Sequence, residues 1–137
     1  KARTWQKLHQ HLQNQQKIGG TVQDLALGYL EFAVANEGLW RMLFEHQVAL
    51  GEQVPDWYLQ DNQRAFELMY AMLKQHDQVH ADNQVQLATQ TLMNSVQGVA
   101  MHLLMLNQSP ETIKLAKAEV VLLVECFLQG WSNEVKE

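Results

Sequence analysis

Apolar residues recur every three or four positions along two long runs of this chain, 84–106 and 110–131, and this spacing predicts two helices. The linker between them ends in Ser109 and Pro110. A serine hydroxyl can accept a hydrogen bond from an otherwise unpaired N–H at a helix start, and proline suits the first helical position. The pattern therefore predicts that the second helix begins at Pro110 and folds back on the first.

The second of these helices is apolar on two faces. One stripe consists of Ile113, Ala116, Val120, Val124, Phe127 and Trp131. The other stripe consists of Leu115, Ala118, Leu122 and Cys126. A helix on the surface of a small domain needs only one apolar stripe. The second stripe therefore predicts contact with something outside the domain, for which a second copy of the chain is the simplest choice.

Upstream of this pair, the same period predicts a helix that begins at Thr21, with Asp24 completing a variant of the capping box. We expect this helix to end at Asn36 in a left-handed conformation, and a short apolar helix to follow from Glu37. A further helix is expected to begin at Pro55. Together with a weakly amphipathic N-terminal segment, these elements predict an all-α helical bundle with about six helices, the last two of which form a four-helix-bundle dimer interface.

Composition agrees with this fold class. Glycine (7) and proline (2) are scarce among the 137 residues, which disfavours a turn-rich β-architecture. No apolar run reaches about 18 residues, so no transmembrane helix is predicted. Cys126 is the single cysteine, which excludes an internal disulfide and agrees with a reducing, cytoplasmic location.

Charge is distributed unevenly along the chain. Residues 1–17 contain four basic and no acidic side chains, whereas the other 120 contain six basic and fifteen acidic ones, a net charge of −9. The main body therefore repels nucleic acid at long range, and the N-terminal end does not. That end is either a solvated helix face or a helix leading to a DNA-binding part.

Two parts of the sequence resemble a known family. The run LALGYLEFAVANEGLWRMLFEH resembles the first two helices of the C-terminal regulatory domain of TetR-type transcriptional regulators, where the pattern is YxxFAxxxPxLxRLMF. SVQGVAMHLL and FLQGW resemble the last two helices of that domain, which form the dimer interface in the family. The chain departs from the pattern at Glu37, where the family often has proline, and at Gln97, where a common subgroup has histidine.

The resemblance implies the regulatory domain of a transcriptional repressor that works as a homodimer. Residues 1–18 would be the C-terminal part of a helix connecting to the family's N-terminal helix-turn-helix domain, which this sequence lacks. Residues 19–137 would form the effector-binding and dimerisation domain. Operator DNA would be bound through the absent domain, and an effector would shift the connecting helix and release the DNA. The alternative is a stand-alone helical adaptor whose outer stripe binds a different protein.

Aromatic, methionine and polar side chains are the candidates for an effector pocket. They are Tyr29, Phe32, Trp40, Phe44, Trp57, Phe66, Met69, Tyr70, Met93, Asn94 and Gln97. Such residues at helical spacing are ordinarily core. A buried polar group without a partner costs about 1–3 kcal/mol, however, so the polar members indicate either internal hydrogen bonds or a ligand. Because charged residues are rare on these faces, the expected effector is small and apolar or amphipathic, and no cofactor is implied.

The last two helices supply the candidates for the dimer interface. They are Gly98, Met101, His102, Met105, Leu115, Ala118, Glu119, Leu122, Cys126 and Gln129. Glycine allows close approach of two helices, and an apolar run that faces outward is typical of an obligate interface.

No group of residues indicates an enzyme or a metal site. The spacing of His76 and His80 would place both imidazoles on one helix face, but no third ligand follows at a fixed spacing, so a solvated face is expected. Cys126 lies in an apolar run, where burial is expected to make a thiol unreactive. Glu119 and Glu125 do not share a helix face, as an acid–base pair on this helix would require.

Overall fold

The computed structural model describes residues 21–42, 56–77 and 79–134, which form five α-helices and no strand. The helices are α1 (Val22–Ala35), α2 (Glu37–Arg41), α3 (Asp56–His76), α4 (Asp82–Met105) and α5 (Pro110–Glu134). The predicted all-α fold class is confirmed. The connecting helix expected at residues 1–18, Phe44 and the side chain of Trp57 lie outside the described residues.

The ends of α1 follow two different local rules. At its start the Asp24 N–H donates to Thr21 Oγ1 at 3.2 Å, and the Thr21 N–H donates to the Asp24 carboxylate at 3.1 Å, which confirms the predicted capping box. At its end Asn36 has φ −121° and ψ 40°, so the predicted left-handed conformation is wrong. The Asn36 backbone N–H and side-chain amide both donate to the Phe32 carbonyl, at 3.0 and 2.9 Å. These bonds end the helix without a positive φ.

The start of α5 confirms the prediction made for Ser109 and Pro110. The Ser109 hydroxyl accepts a hydrogen bond from the Thr112 N–H at 3.2 Å, and Pro110 is the first helical residue. A proline there loses no helical hydrogen bond, because the first N–H groups of a helix have no partner within it. The turn that precedes it brings α5 back along α4.

The central helix is α4, which packs against α1, α3 and α5, while α1 also packs against α5. The predicted inner stripe of α5 enters this core. Ala116, Val120 and Val124 are buried, and Ile113, Phe127 and Trp131 are half-buried against them. A fully buried valine side chain contributes about 1.5–3 kcal/mol relative to an exposed one, so Val120 and Val124 hold α5 on the bundle.

The second stripe of α5 points away from the core. Leu115 is 60% exposed and Leu122 is 62% exposed, and the thiol-bearing Cys126 is exposed as well. The burial expected for Cys126 is therefore wrong for the single chain, because this residue belongs to the outer face of the helix. None of the helices within the described ranges combines the length and the apolar character needed to cross a membrane.

Candidate functional site

A small apolar cavity lies between α1, α3 and α4. It is lined by Leu25, Ala26, Tyr29, Ala65, Leu68, Met69, Met93 and Val96. Its volume is about 20 Å³, enough for about one water molecule. Two of the lining positions, on different helices, are alanines, so their side chains leave the space that larger residues would fill.

All eight residues that line the cavity are buried. Leu25 and Val96 are 1% and 2% exposed, whereas Met69 and Met93 are 7% and 8% exposed. Methionine is unbranched and changes rotamer easily, so these two side chains are the parts of the wall that can move at least cost.

Tyr29 connects the cavity to two other parts of the bundle. Its hydroxyl oxygen accepts a hydrogen bond from the Gln97 side-chain amide of α4 at 3.0 Å. Its ring meets the buried indole of Trp40 in α2 edge-on, with 5.5 Å between centroids and 78° between planes. An edge-to-face aromatic pair is worth about 0.5–1.5 kcal/mol beyond the area it buries. A movement of Tyr29 would therefore alter its contacts with both α2 and α4.

The structure brings Tyr29, Met69 and Met93 to the cavity and places Trp40 and Gln97 directly behind Tyr29. The other predicted pocket residues whose side chains the structure describes lie elsewhere. Phe66 and Tyr70 stack on each other at 6.4 Å, and Phe32 packs on the side of the core. The Tyr70 hydroxyl donates to Asp82, and the exposed Asn94 accepts a hydrogen bond from Gln90.

The outer face of α4 and α5 holds the predicted dimer residues. Nine of the ten are exposed: Gly98, His102, Met105, Leu115, Ala118, Glu119, Leu122, Cys126 and Gln129. Met101 is half-buried and packs against the core. A Cβ atom added at Gly98 would meet nothing within 4 Å, so this side of α4 is open to close approach.

Sequence reasoning missed a cluster at the turn between α3 and α4. Helix α3 ends at His76, so His80 lies in the turn and the two histidines do not share a helix face. The expected solvated position of His80 is also wrong, because its side chain is 6% exposed. His80 Nδ1 lies 2.6 Å from an Asp77 carboxylate oxygen, and the ring stacks on Trp131 of α5. An aspartate three residues before a histidine at a helix end was the available signal.

Burial of Asp77 acts to raise the pKa of its carboxyl group, but its hydrogen bonds outweigh that effect. The backbone N–H groups of Val79 and His80 donate to it at 3.0 and 3.1 Å, and the His80 ring adds a third contact. The pKa of Asp77 is therefore lower than the ordinary value. Within the described ranges, no cluster of histidine, cysteine, aspartate and glutamate side chains could hold a metal ion.

A second missed contact joins α2 to the end of α4. The Arg41 guanidinium forms an ion pair with Glu37 at 2.7 Å and donates to the Leu104 carbonyl. The last carbonyls of a helix have no partner within it, so a cationic donor there satisfies one of them and complements the helix dipole. Two neighbouring residues therefore hold α2 in place. Trp40 packs against Tyr29, and Arg41 bonds to the end of α4.

An all-α bundle with an internal apolar cavity and an outward-facing apolar helix pair has the features of a ligand-binding and dimerisation domain. A family model described as Tetracyclin repressor-like, C-terminal domain, matches residues 22–121. The chain belongs to this family, which confirms the resemblance seen in its sequence, and its role is regulatory. No curated protein and no solved structure matches the chain significantly.

Proposed function

We propose that this chain is the effector-sensing and dimerising domain of a transcriptional repressor. In this proposal a helix-turn-helix domain precedes residue 1, and residues 1–18 are the C-terminal part of the helix that connects it to the bundle. Membership of the family supports the regulatory role. Regulatory domains of this family are generally non-enzymatic, and we propose the same for this chain, acting in the cytoplasm.

The observation that carries the proposal is the outward-facing apolar surface of α4 and α5. Leu115, Leu122 and Met105 are each at least 60% exposed, although the opposite stripe of α5 is buried. A leucine gains about 1.5–3 kcal/mol when it is buried, so two copies of this surface gain from packing against each other. A two-fold axis would bring α4 and α5 of both copies together as a four-helix bundle.

The cavity at Tyr29 supports the second half of the proposal, a small apolar or amphipathic effector. Such a molecule acts only through its different affinity for two packings of the helices. Displacement of Tyr29 would act on Trp40 and Gln97, hence on α2 and α4. A tilt of the connecting helix would then move two DNA-binding domains away from the spacing of their half-sites.

The test uses the natural polypeptide that includes the residues encoded upstream of Lys1. We expect those residues to form a helix-turn-helix domain, and the polypeptide to select a two-fold symmetric DNA site from fragments of its own genome. The 137-residue chain without them should select none, since outside residues 1–17 its net charge is −9. A polypeptide without DNA binding would contradict the proposal, and a monomer that binds one different protein would favour the adaptor.

A further inference from the structure

The C-terminal part of α5, residues 125–134, has fewer buried contacts than the part before it. Val120 and Val124 are 0% and 1% exposed, whereas none of the described side chains from residue 125 onward is buried. Phe127 and Trp131 are half-buried against the core. Segments with few buried contacts open locally at a lower cost in free energy than the core of a protein. A further contact at this end of the helix therefore helps to fix its position.

The stack of His80 on Trp131 provides that contact. The two ring centroids are 3.5 Å apart, and the His80 side chain is 6% exposed. The Asp77 carboxylate contacts His80 Nδ1 at 2.6 Å and accepts hydrogen bonds from the backbone N–H groups of Val79 and His80. These bonds close the turn in which His80 lies. Asp77, His80 and Trp131 therefore form a clamp on the end of α5.

The clamp joins two helices that otherwise do not pack along each other. Helix α3 packs against α1 and α4, and α5 packs against the same two helices, but no extended contact between α3 and α5 exists among the described residues. Asp77 directly follows the last residue of α3, His76. The clamp therefore connects the end of α3 to the end of α5 by a route that does not pass through α1 or α4.

The clamp reaches the outer face of α5 through Phe127. Trp131 stacks on Phe127 at 6.3 Å, and Phe127 lines a groove on the outer face together with Leu122 and Cys126. A copy whose helix end is out of position must order it before it can associate, and its apparent affinity falls accordingly. We propose that the clamp positions the C-terminal part of α5 and that the affinity between two copies of the chain depends on it. This inference rests on the proposed association through α4 and α5.

Hydrogen exchange followed by NMR tests the clamp in the native 137-residue chain and in His80→Ala. The variant loses the stack, so the amides of residues 128–134 should exchange about 2- to 10-fold faster, the value of one stacked aromatic pair. The amides of residues 116–124, in the buried part of α5, should change by less than about twofold. Equal acceleration in both parts of α5, or no acceleration at all, would overturn the inference.

Two further variants separate the ring of His80 from the rest of the turn. Val79→Ala changes a side chain that is 71% exposed and keeps the backbone N–H that donates to Asp77, so its amides should exchange like those of the native chain. His80→Phe keeps an aromatic ring against Trp131, so its exchange rates should lie between those of the native chain and His80→Ala. Exchange in His80→Phe as fast as in His80→Ala would show that the stack is not what holds the helix end.

Trp131→Leu tests the same contact from the side of α5. It removes the indole but keeps an apolar side chain, and it should accelerate exchange of the same amides as His80→Ala. If His80→Ala does not fold, Trp131→Leu decides, and unchanged exchange in that variant overturns the inference.

Sedimentation equilibrium then measures the dissociation constant of the dimer. The side chains of Asp77 and His80 are buried within the single chain, so a loss of dimer affinity in His80→Ala cannot come from a contact across the interface. This variant should raise the constant by at least about twofold, since both copies in a dimer lose the clamp. A native dimer with an unchanged constant in His80→Ala would overturn only this inference. A native monomer would contradict the proposed function, and the exchange rates would still decide whether the clamp holds α5.

Discussion

The imidazole of His80 lies flat on the indole of Trp131, with 3.5 Å between the ring centroids and 13° between the planes. His80 belongs to the turn between α3 and α4, and Trp131 belongs to the last turns of α5. The stack therefore attaches the C-terminal end of α5 to the turn between α3 and α4. This turn lies at the end of the bundle opposite to the first turn of α5. An Asp77 carboxylate oxygen contacts Nδ1 of this imidazole, so we expect the stability of the attachment to depend on pH.

Asp77→Asn tests that dependence. The pKa of Asp77 is lowered on folding from its ordinary value of 3.8, so the carboxylate contributes stability above that pH and loses it as the pH falls through the folded pKa. The variant should unfold at a lower temperature than the native chain at pH 7, and the difference should shrink as the pH falls below 3.8. Thermal unfolding, followed by circular dichroism from pH 7 to below pH 3.8, measures this difference in unfolding temperature.

The control for this prediction is Glu67→Gln, which removes an exposed carboxylate of α3 and should change stability by less than about 0.5 kcal/mol at either pH. A difference between native chain and Asp77→Asn that stays constant down to the lowest pH would show that the ionised carboxylate is not what stabilises the turn.

The bond between Tyr29 and Gln97 should appear as a coupling energy. In a double-mutant cycle with Tyr29→Phe and Gln97→Met, urea unfolding should give a coupling of about 1 kcal/mol, the usual net value of one hydrogen bond. The exposed pair Gln90 and Asn94, at 2.9 Å, is the matched control and should couple by less than about 0.5 kcal/mol. Equal coupling in both pairs would mean that partial burial adds nothing to the Tyr29 contact.

Arg41→Ala should loosen the end of α4. Loss of the donor to the Leu104 carbonyl removes a partly exposed, charge-assisted bond worth about 1 kcal/mol, so amide exchange in the last turn of α4 should accelerate by about fivefold. Hydrogen exchange followed by NMR resolves these amides. Lys114→Ala, at an exposed position of α5, should leave them unchanged. Uniform acceleration across the whole bundle would instead indicate a global loss of stability.

Local signals in the sequence were sufficient to locate the helix ends at Thr21 and Pro110, because capping depends on neighbouring residues only. The conformation of Asn36 could not be predicted in this way, since its side chain and its backbone N–H both donate to the Phe32 carbonyl. The inner stripe of α5 followed from its period alone. These elements determine most of the fold.

The cavity was only partly predictable. Tyr29, Met69 and Met93 stand out as large or polar residues, but Ala26 and Ala65 look like ordinary core positions, and it is their small size that leaves the space. Asn94 was included as a polar residue near Met93, yet it is exposed on the other side of α4. The contact of His80 with Trp131 depends on how two distant segments meet, which no local pattern specifies.

Association through α4 and α5 is the central claim, and Leu122→Lys addresses it directly. A two-fold interface would contain this lysine once from each copy. Burying an unpaired charge there costs far more free energy than burying a leucine side chain gains. Leu59→Lys makes the same change at a leucine that is 54% exposed on α3, away from the proposed interface.

Sedimentation equilibrium of the three proteins at micromolar concentration is the most direct measurement. The native chain and Leu59→Lys should both sediment at twice the chain mass of 15.8 kDa, and folded Leu122→Lys should sediment at that mass itself. A native chain that sediments as a monomer, or a Leu122→Lys variant that remains a dimer, would contradict association through this helix pair.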